Sequence, residues 1–298
     1  PVTELVTGLD LVEWMIRIAY GEKLTIKQKD VKLNGWAIET RVYAEDPFRN
    51  FMPSIGRLVR YQPPQESAHV RVDTGIKEGS EVSMYYDPMI AKLITYGSTR
   101  KEAIDRMGDA LDAYYIRGVS HNISFLNALI AHPRFLEGRL TTNFIAEEYP
   151  DGFHANDVPQ DDPALAIVIA GTTYRRQMDR AALLSGQVPS HERKVPSDWV
   201  VVINRVEHAI RIETIPDGYE VLYNSTTYTV LTDWKPGEPL VRARVNGKTV
   251  CFQLNRTGAG YQLFHRGAQI DVLVCTPRAA ELNRHMLDKV PPDLSRFL

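Results

Sequence analysis

Cysteine is scarce in this sequence, because Cys251 and Cys275 are the only two among 298 residues. Their number and spacing fit neither a disulfide framework nor a zinc site, and they suggest a reducing compartment. The eight histidines are scattered, and none of them has the spacing of metal ligands. The sequence therefore predicts no metal site of its own.

Other signatures are missing as well. No apolar run approaches the roughly 20 residues that a membrane helix needs. A net charge of -2 gives no support to binding of nucleic acid or an anionic membrane. Neither of the two common glycine-rich phosphate loops is present. A nucleophile-elbow serine motif is also missing. What remains is the composition of an ordinary globular protein, with a length that suits about two domains.

One strand nevertheless stands out, from Gly35 to Pro47. Its residues alternate between a mostly apolar face and a polar face that carries Glu39, Arg41 and Tyr43. An arginine between an acid and a tyrosine can hold an anion, because the guanidinium is permanently charged and offers a rigid fork of donors. On the pattern alone, an ordinary antiparallel strand with a wet face is the better interpretation.

Three carboxylates near this strand admit two interpretations. Glu45, Asp46 and Asp87 would suit paired acid and base chemistry if they met in the fold. Prolines flank them, however, so a role in turns is at least as good an interpretation.

The first half of the chain reads as a mixture of helices and strands, and a boundary falls near Tyr149–Gly152. Beyond it, Asp161 and Asp162 precede a proline and start one long helix over Ala164–Ser185, in which Gly171 permits close approach of another backbone. Eight short strands then follow between residues 199 and 275, with hairpin turns at Asp217-Gly218, Asn246-Gly247 and Arg266-Gly267. This spacing predicts a closed antiparallel barrel around the long helix, followed by a last helix over Arg278–Leu287.

Several segments of the first half resemble the biotin carboxylase component of biotin-dependent carboxylases, in family order and at family spacing. The segments are Pro1–Asp10, Gly35–Pro47, Phe51–Gly56, Tyr85–Ile94, and Arg117-Gly118-Val119 followed by Asn122. The second half, with its long helix, eight strands and Arg278–Leu287, is similar to the alpha subunits of acyl-CoA carboxylases, in particular those of propionyl-CoA carboxylase.

The resemblance implies an α+β fold in two parts. Residues 1–150 correspond to the end of the ATP-grasp module and the C-terminal subdomain of biotin carboxylase, an antiparallel sheet with helices. Residues 151–298 correspond to a long helix packed in an eight-stranded antiparallel β-barrel, which docks the carboxyltransferase subunit, and to an exit linker.

The resemblance also implies roles for single residues. Arg41 matches the family's catalytic arginine, which stabilises negative charge on the ureido oxygen of biotin during its carboxylation. Glu39 and Tyr43, on the same face, are implied to position it. Thr142 is placed on the adenine side of the nucleotide, although Leu140–Ile145 matches the family pattern only loosely.

The intact protein is by this resemblance a ligase that uses ATP, Mg²⁺ or Mn²⁺, bicarbonate and biotin. Its implied partners are the carboxyltransferase (beta) subunit and the biotin carboxyl carrier domain of the same subunit. The family's nucleotide loop, metal-binding carboxylates and bicarbonate base precede Pro1, and its biotin-bearing Met-Lys-Met motif follows Leu298. Because the sequence also begins without methionine, we expect a middle piece of a larger subunit. Its compartment is the cytoplasm if bacterial, which is favoured, or the mitochondrial matrix if eukaryotic.

Two alternatives stay open at this point. The chain is either part of the catalytic subunit or a purely structural docking module, because the barrel carries no catalytic constellation of its own. The acyl-CoA is also open, since a related enzyme acting on methylcrotonyl-CoA would share the first half.

Overall fold

The computed structural model describes residues 1–158 and 163–286. Residues 1–158, which we call the N-terminal region, combine short helices with small antiparallel sheets. Its helices are α1 (Val2–Thr7), α2 (Leu11–Ala19), α3 (Arg100–Asp112), α4 (Ile123–Ala131), α5 (Pro133–Glu137) and α6 (Phe144–Glu148). Its strands are β1 (Trp36–Tyr43), β2 (Glu45–Asp46), β3 (Met52–Pro53), β4 (Gly56–Arg57), β5 (Arg60–Gln62), β6 (Val70–Thr74), β7 (Glu81–Val82), β8 (Met89–Gly97) and β9 (Tyr115–Arg117).

The main sheet of the N-terminal region has the order β1-β8-β6, with antiparallel pairing throughout. The pairs β2-β3, β4-β7 and β5-β9 form three two-stranded ladders beside it. Helices α3 and α4 cover the sheet because their apolar faces, including Met107 and Leu111, meet Val42 and Leu93 in one buried cluster. Thr99 caps the start of α3, since its side chain accepts a hydrogen bond from the Glu102 backbone N–H.

Residues 163–286, which we call the barrel region, begin with the long helix α7 (Pro163–Ala182). Eight strands then close into an antiparallel barrel in sequence order, and a short helix follows. They are β10 (Asp198–Ile203), β11 (Val206–Ile215), β12 (Gly218–Tyr223), β13 (Thr226–Leu231), β14 (Leu240–Val245), β15 (Lys248–Thr257), β16 (Gly260–His265), β17 (Ala268–Cys275) and α8 (Pro277–Asn283).

The predicted helix inside a barrel is confirmed. Residues 166–170 of α7 are buried on all sides against side chains from the surrounding strands. Gly171 lies where a Cβ atom would come within 2.4 Å of Ile210 Cδ1, so only glycine allows this closeness of helix and strand. The predicted turns are also present, and Asp217, Asn246 and Arg266 all adopt the positive φ that tight hairpins require.

Some predictions differ from the structure or fall outside the described residues. Asp161 and Asp162, predicted to start α7, are not among the described residues, and α7 ends at Ala182, before the predicted Ser185. Helix α8 ends at Asn283, before the predicted Leu287, which is itself not among the described residues. Helices α5 and α6 were not predicted, because each is only one turn long and neither offers a clear apolar period. Within the described residues, no helix is long and apolar enough to cross a membrane.

Candidate functional site

The polar face of β1 brings three of the predicted residues together. Residues 40 and 42 point into the core and are buried, so Glu39, Arg41 and Tyr43 share the opposite face. The Arg41 side chain retains 57% of its exposure, whereas that of Glu39 retains only 19%. An exposed guanidinium on a rigid strand is accessible to a ligand and is held in place by the sheet beneath it.

The electrostatic surroundings of Arg41 are favourable to its charge. Its Nε lies 3.6 Å from Glu39 Oε1, a loose ion pair. The Tyr43 hydroxyl and, to a lesser extent, the Glu39 carboxylate raise the pKa of Arg41. Arg41 is therefore a fixed positive charge at every physiological pH, which suits stabilisation of a negative charge rather than proton transfer.

Asn122 also contacts this part of β1, and sequence analysis predicted no role for its side chain. Its side chain accepts a hydrogen bond from the Tyr43 N–H at 2.9 Å and donates one to the Arg41 carbonyl at 3.1 Å. The only signal in the sequence was its place after Arg117-Gly118-Val119 in a segment of the resemblance. A pattern of residue types cannot show that a side chain from a distant helix pairs with a strand.

Two of the three carboxylates near the strand, Asp46 and Asp87, bond within turns, whereas Glu45 lies in β2. Asp46 accepts a hydrogen bond from the Phe48 N–H, and Asp87 accepts one from the Met89 N–H. Burial, and secondly the charge of Asp87, raise the pKa of Glu45.

Thr142 lies in a different segment, just before α6. It is exposed in the turn before α6, and within the described part of the chain it makes no hydrogen bond to Glu39, Arg41 or Tyr43. Its assignment to the adenine side of a nucleotide stays a prediction.

A groove of about 800 Å³, lined by polar and apolar side chains, lies between the N-terminal region and the barrel region. Arg117 crosses it, because its guanidinium donates to Gln253 Oε1 at 3.1 Å and to Asn255 Oδ1 at 3.3 Å. The same guanidinium lies over the rings of Tyr115 and Phe264, at 4.2 and 4.6 Å from their centroids. Arg117 is half-buried and joins the two regions across the groove.

A divalent metal does not fit the residues described. Across residues 1–158 and 163–286, no three His, Cys, Asp or Glu side chains come together in a way that could hold a metal ion. We therefore derive no step through a metal from this chain.

Two family profiles match the chain in succession. Residues 39–147 match the biotin carboxylase C-terminal domain, and residues 167–289 match the propionyl-coenzyme A carboxylase BT domain. The first match contains β1 with Arg41, and the second contains most of α7 and the whole barrel.

Curated relatives cover the full chain. The propionyl-CoA carboxylase alpha chain of Ruegeria pomeroyi is 45% identical over 100% of this chain and 47% of its own length. The mitochondrial propionyl-CoA carboxylase alpha chain of Mus musculus is 41% identical over 100% of this chain and 42% of its own length. This chain thus spans less than half the length of these relatives.

A relative whose name contains another substrate matches a smaller part of this chain. The mitochondrial methylcrotonoyl-CoA carboxylase subunit alpha of Mus musculus is 46% identical over 51% of this chain and 21% of its own length. This chain is therefore similar over its whole length, including the barrel, to the two propionyl-CoA carboxylase alpha chains, and over only about half of its length to the methylcrotonoyl-CoA carboxylase subunit.

Proposed function

Because the chain belongs to the family of propionyl-CoA carboxylase alpha chains, we propose that it forms part of a biotin carboxylase subunit, a ligase in its intact form. In this proposal the whole protein carboxylates biotin with ATP and bicarbonate, for the conversion of propionyl-CoA to methylmalonyl-CoA. The observation that carries the proposal is an exposed Arg41 on the polar face of β1, beside Glu39 and inside the matched biotin carboxylase segment.

Arg41 supplies electrostatic stabilisation in this reaction. Biotin, when bound, supplies the ureido nitrogen that accepts the carboxyl group, and its ureido oxygen gains negative charge during the reaction. The Arg41 guanidinium binds and stabilises that charge, and because β1 fixes its place before the reaction, little reorganisation is needed. Glu39 and Tyr43 hold the guanidinium on the exposed face, where it neither gains nor loses a proton.

The remaining components lie outside what these residues can supply. We propose that the nucleotide, Mg²⁺ or Mn²⁺ and bicarbonate are held by other parts of the subunit, with Thr142 on the adenine side of the nucleotide. We also place the division between the two domains near residue 150, consistent with the gap between the two family matches. The relatives are bacterial and mitochondrial, so the proposed compartment is the bacterial cytoplasm, or the mitochondrial matrix in a eukaryote.

The experiment that tests the proposal is replacement of Arg41 in the intact subunit. Arg41→Ala should lower kcat for biotin carboxylation about 100-fold or more, as the loss of one transition-state donor does in other enzymes. Arg41→Lys should recover only part of the rate, because a lysine keeps the charge and loses the planar fork. Wild-type rates in Arg41→Ala would remove this residue from the mechanism.

A second function is supported for the barrel region, namely docking of the carboxyltransferase (beta) subunit. Its interior is filled by α7, so the barrel encloses a packed core and is suited to binding through its outer surface. A subunit that lacks residues 163–286 should lose its affinity for the carboxyltransferase subunit in a sedimentation assay. Undiminished binding would show that docking resides elsewhere, without affecting the proposal for Arg41.

A further inference from the structure

Strand β1 has one open edge at the position of Arg41. In the order β1-β8-β6 it pairs with β8 on one side only. Consecutive residues of a strand direct their backbone groups to opposite edges, so Arg41 and Tyr43 share an edge. Contacts with Asn122 identify this edge as the one away from β8.

The side-chain amide of Asn122 takes the place of a neighbouring strand at this edge. It accepts from the Tyr43 N–H at 2.9 Å and donates to the Arg41 carbonyl at 3.1 Å, as a paired peptide group would. A third bond joins the two backbones, because the Asn122 N–H donates to the Tyr43 carbonyl at 3.2 Å. Together these bonds fix the backbone on both sides of Val42.

This support falls where the ladder itself is irregular. The register between β1 and β8 shifts after Val42, so that Val42 faces Ala91 and Tyr43 faces Met89. A bulge of this kind weakens local pairing and redirects side chains. Bonds from outside the sheet are therefore needed here more than elsewhere along β1.

Asn122 is itself well held. It is 5% exposed and precedes the first residue of α4, and its carbonyl accepts from the Leu126 N–H at 3.0 Å. The amide thus reaches β1 from a buried helix end and has little freedom to move. Aspartate would keep the acceptor for Tyr43 and lose the donor to Arg41.

We propose that Asn122 is a positioning residue, which fixes the direction of the Arg41 side chain by pairing with the open edge of β1. The inference rests on the proposed function of Arg41 and extends it to a residue that never needs to touch a substrate. Small displacements of a catalytic group reduce the rate strongly, so loss of this pairing affects turnover more than substrate binding.

The test compares two buried asparagines of the same segment in the intact subunit. Asn122→Ala should lower kcat for biotin carboxylation about 10- to 100-fold, with KM for ATP almost unchanged. Asn127→Ala is the matched control, because Asn127 is 3% exposed and its side chain donates to the Ile123 carbonyl within α4. Asn127→Ala should leave kcat within about twofold of wild type, whatever its effect on thermal stability.

A double-mutant cycle with Arg41→Ala then separates positioning from general damage to the fold. If Asn122 acts through Arg41, Asn122→Ala should add little or no further loss of kcat in the Arg41→Ala background. Asn122→Asp keeps the acceptor for the Tyr43 N–H and loses the donor to the Arg41 carbonyl, so it should show an intermediate loss. Additive losses, or full activity in Asn122→Ala, would overturn the inference. Full activity in Arg41→Ala would instead overturn the proposed function.

Discussion

Asp112, at the end of α3, accepts a 2.7 Å hydrogen bond from the backbone N–H of Arg266, in the turn between β16 and β17. The Arg266 Nε also lies 3.3 Å from Asp112 Oδ2, and its Nη2 lies 2.6 Å from Asp109 Oδ1. The side chain of Asp112 is only 2% exposed, whereas that of Asp109 is 64% exposed. One arginine of the barrel region therefore joins a buried and an exposed acid of the N-terminal region.

The difference in burial predicts unequal costs for removing the two acids. Asp112→Ala removes a buried carboxylate that accepts a hydrogen bond from the Arg266 N–H and forms an ion pair with its side chain, so it should lower the free energy of unfolding by about 2–4 kcal/mol. Asp109→Ala removes an exposed ion pair with the same arginine and should cost at most about 1 kcal/mol. Denaturant unfolding of the intact subunit measures both values. Equal costs would show that Asp112 does not hold the two regions together.

The architecture of the barrel region could be predicted from its sequence because local signals repeat there. Several hairpin turns carry residues that tolerate positive φ, such as Asn246 and Gly247, and the strands between them alternate in polarity. An apolar helix that precedes eight such strands can then be expected to fill the interior of their barrel. Agreement between local and overall preferences explains why a closed barrel of eight strands could be predicted.

The contacts between elements could not be predicted in the same way. Helix α2 has an apolar stripe and a cap at Asp10 that are typical of a packed helix, yet Met15 and Ile18 on that stripe are exposed within the described structure. A periodic pattern indicates a helix but does not identify the surface that covers it. The same limit applies to Asn122, whose partners on β1 lie about 80 residues earlier in the chain.

Gly171 predicts an exception to the usual effect of replacing a glycine within a helix. Alanine normally stabilises a helix by about 1 kcal/mol relative to glycine. Here the added Cβ would lie 2.4 Å from Ile210 Cδ1, and Ile210 is buried, so overpacking should dominate. We expect Gly171→Ala to lower the free energy of unfolding by about 1–2 kcal/mol.

A compensating substitution provides the control for this prediction. Ile210→Val removes the Cδ1 atom that the new methyl group would approach. The double variant Gly171→Ala/Ile210→Val should therefore be more stable than Gly171→Ala alone, although Ile210→Val by itself removes a buried methyl group and costs about 1 kcal/mol. Thermal unfolding of the four proteins gives the coupling energy between the two sites. Simple additivity would show that the contact between helix and strand does not limit packing there.

His121 lies on the wall of the groove between the two regions. Its environment predicts that the folded protein loses stability in acid. Burial, and secondly the positive charge of Arg117, lower the pKa of His121 to about 4, and its Nδ1 has no hydrogen-bond partner in the described protein. The neutral ring is therefore the folded form, while the unfolded chain binds a proton near its ordinary pKa of 6.5. Since the unfolded state holds more protons between these values, stability is fully present above pH 6.5 and falls as the pH decreases towards 4.

His121→Gln removes this titration and should flatten the dependence of stability on pH over that window. The shift of the His121 pKa corresponds to a difference of about 3 kcal/mol between the upper and lower ends of the window. His191→Gln, at an exposed position, is the matched control and should keep the wild-type slope. Denaturant unfolding of the intact subunit at several values between pH 6.5 and 4 gives the slopes. Parallel curves for wild type and His121→Gln would mean that the ring is protonated in the folded protein, and that Arg117 and burial do not keep it neutral.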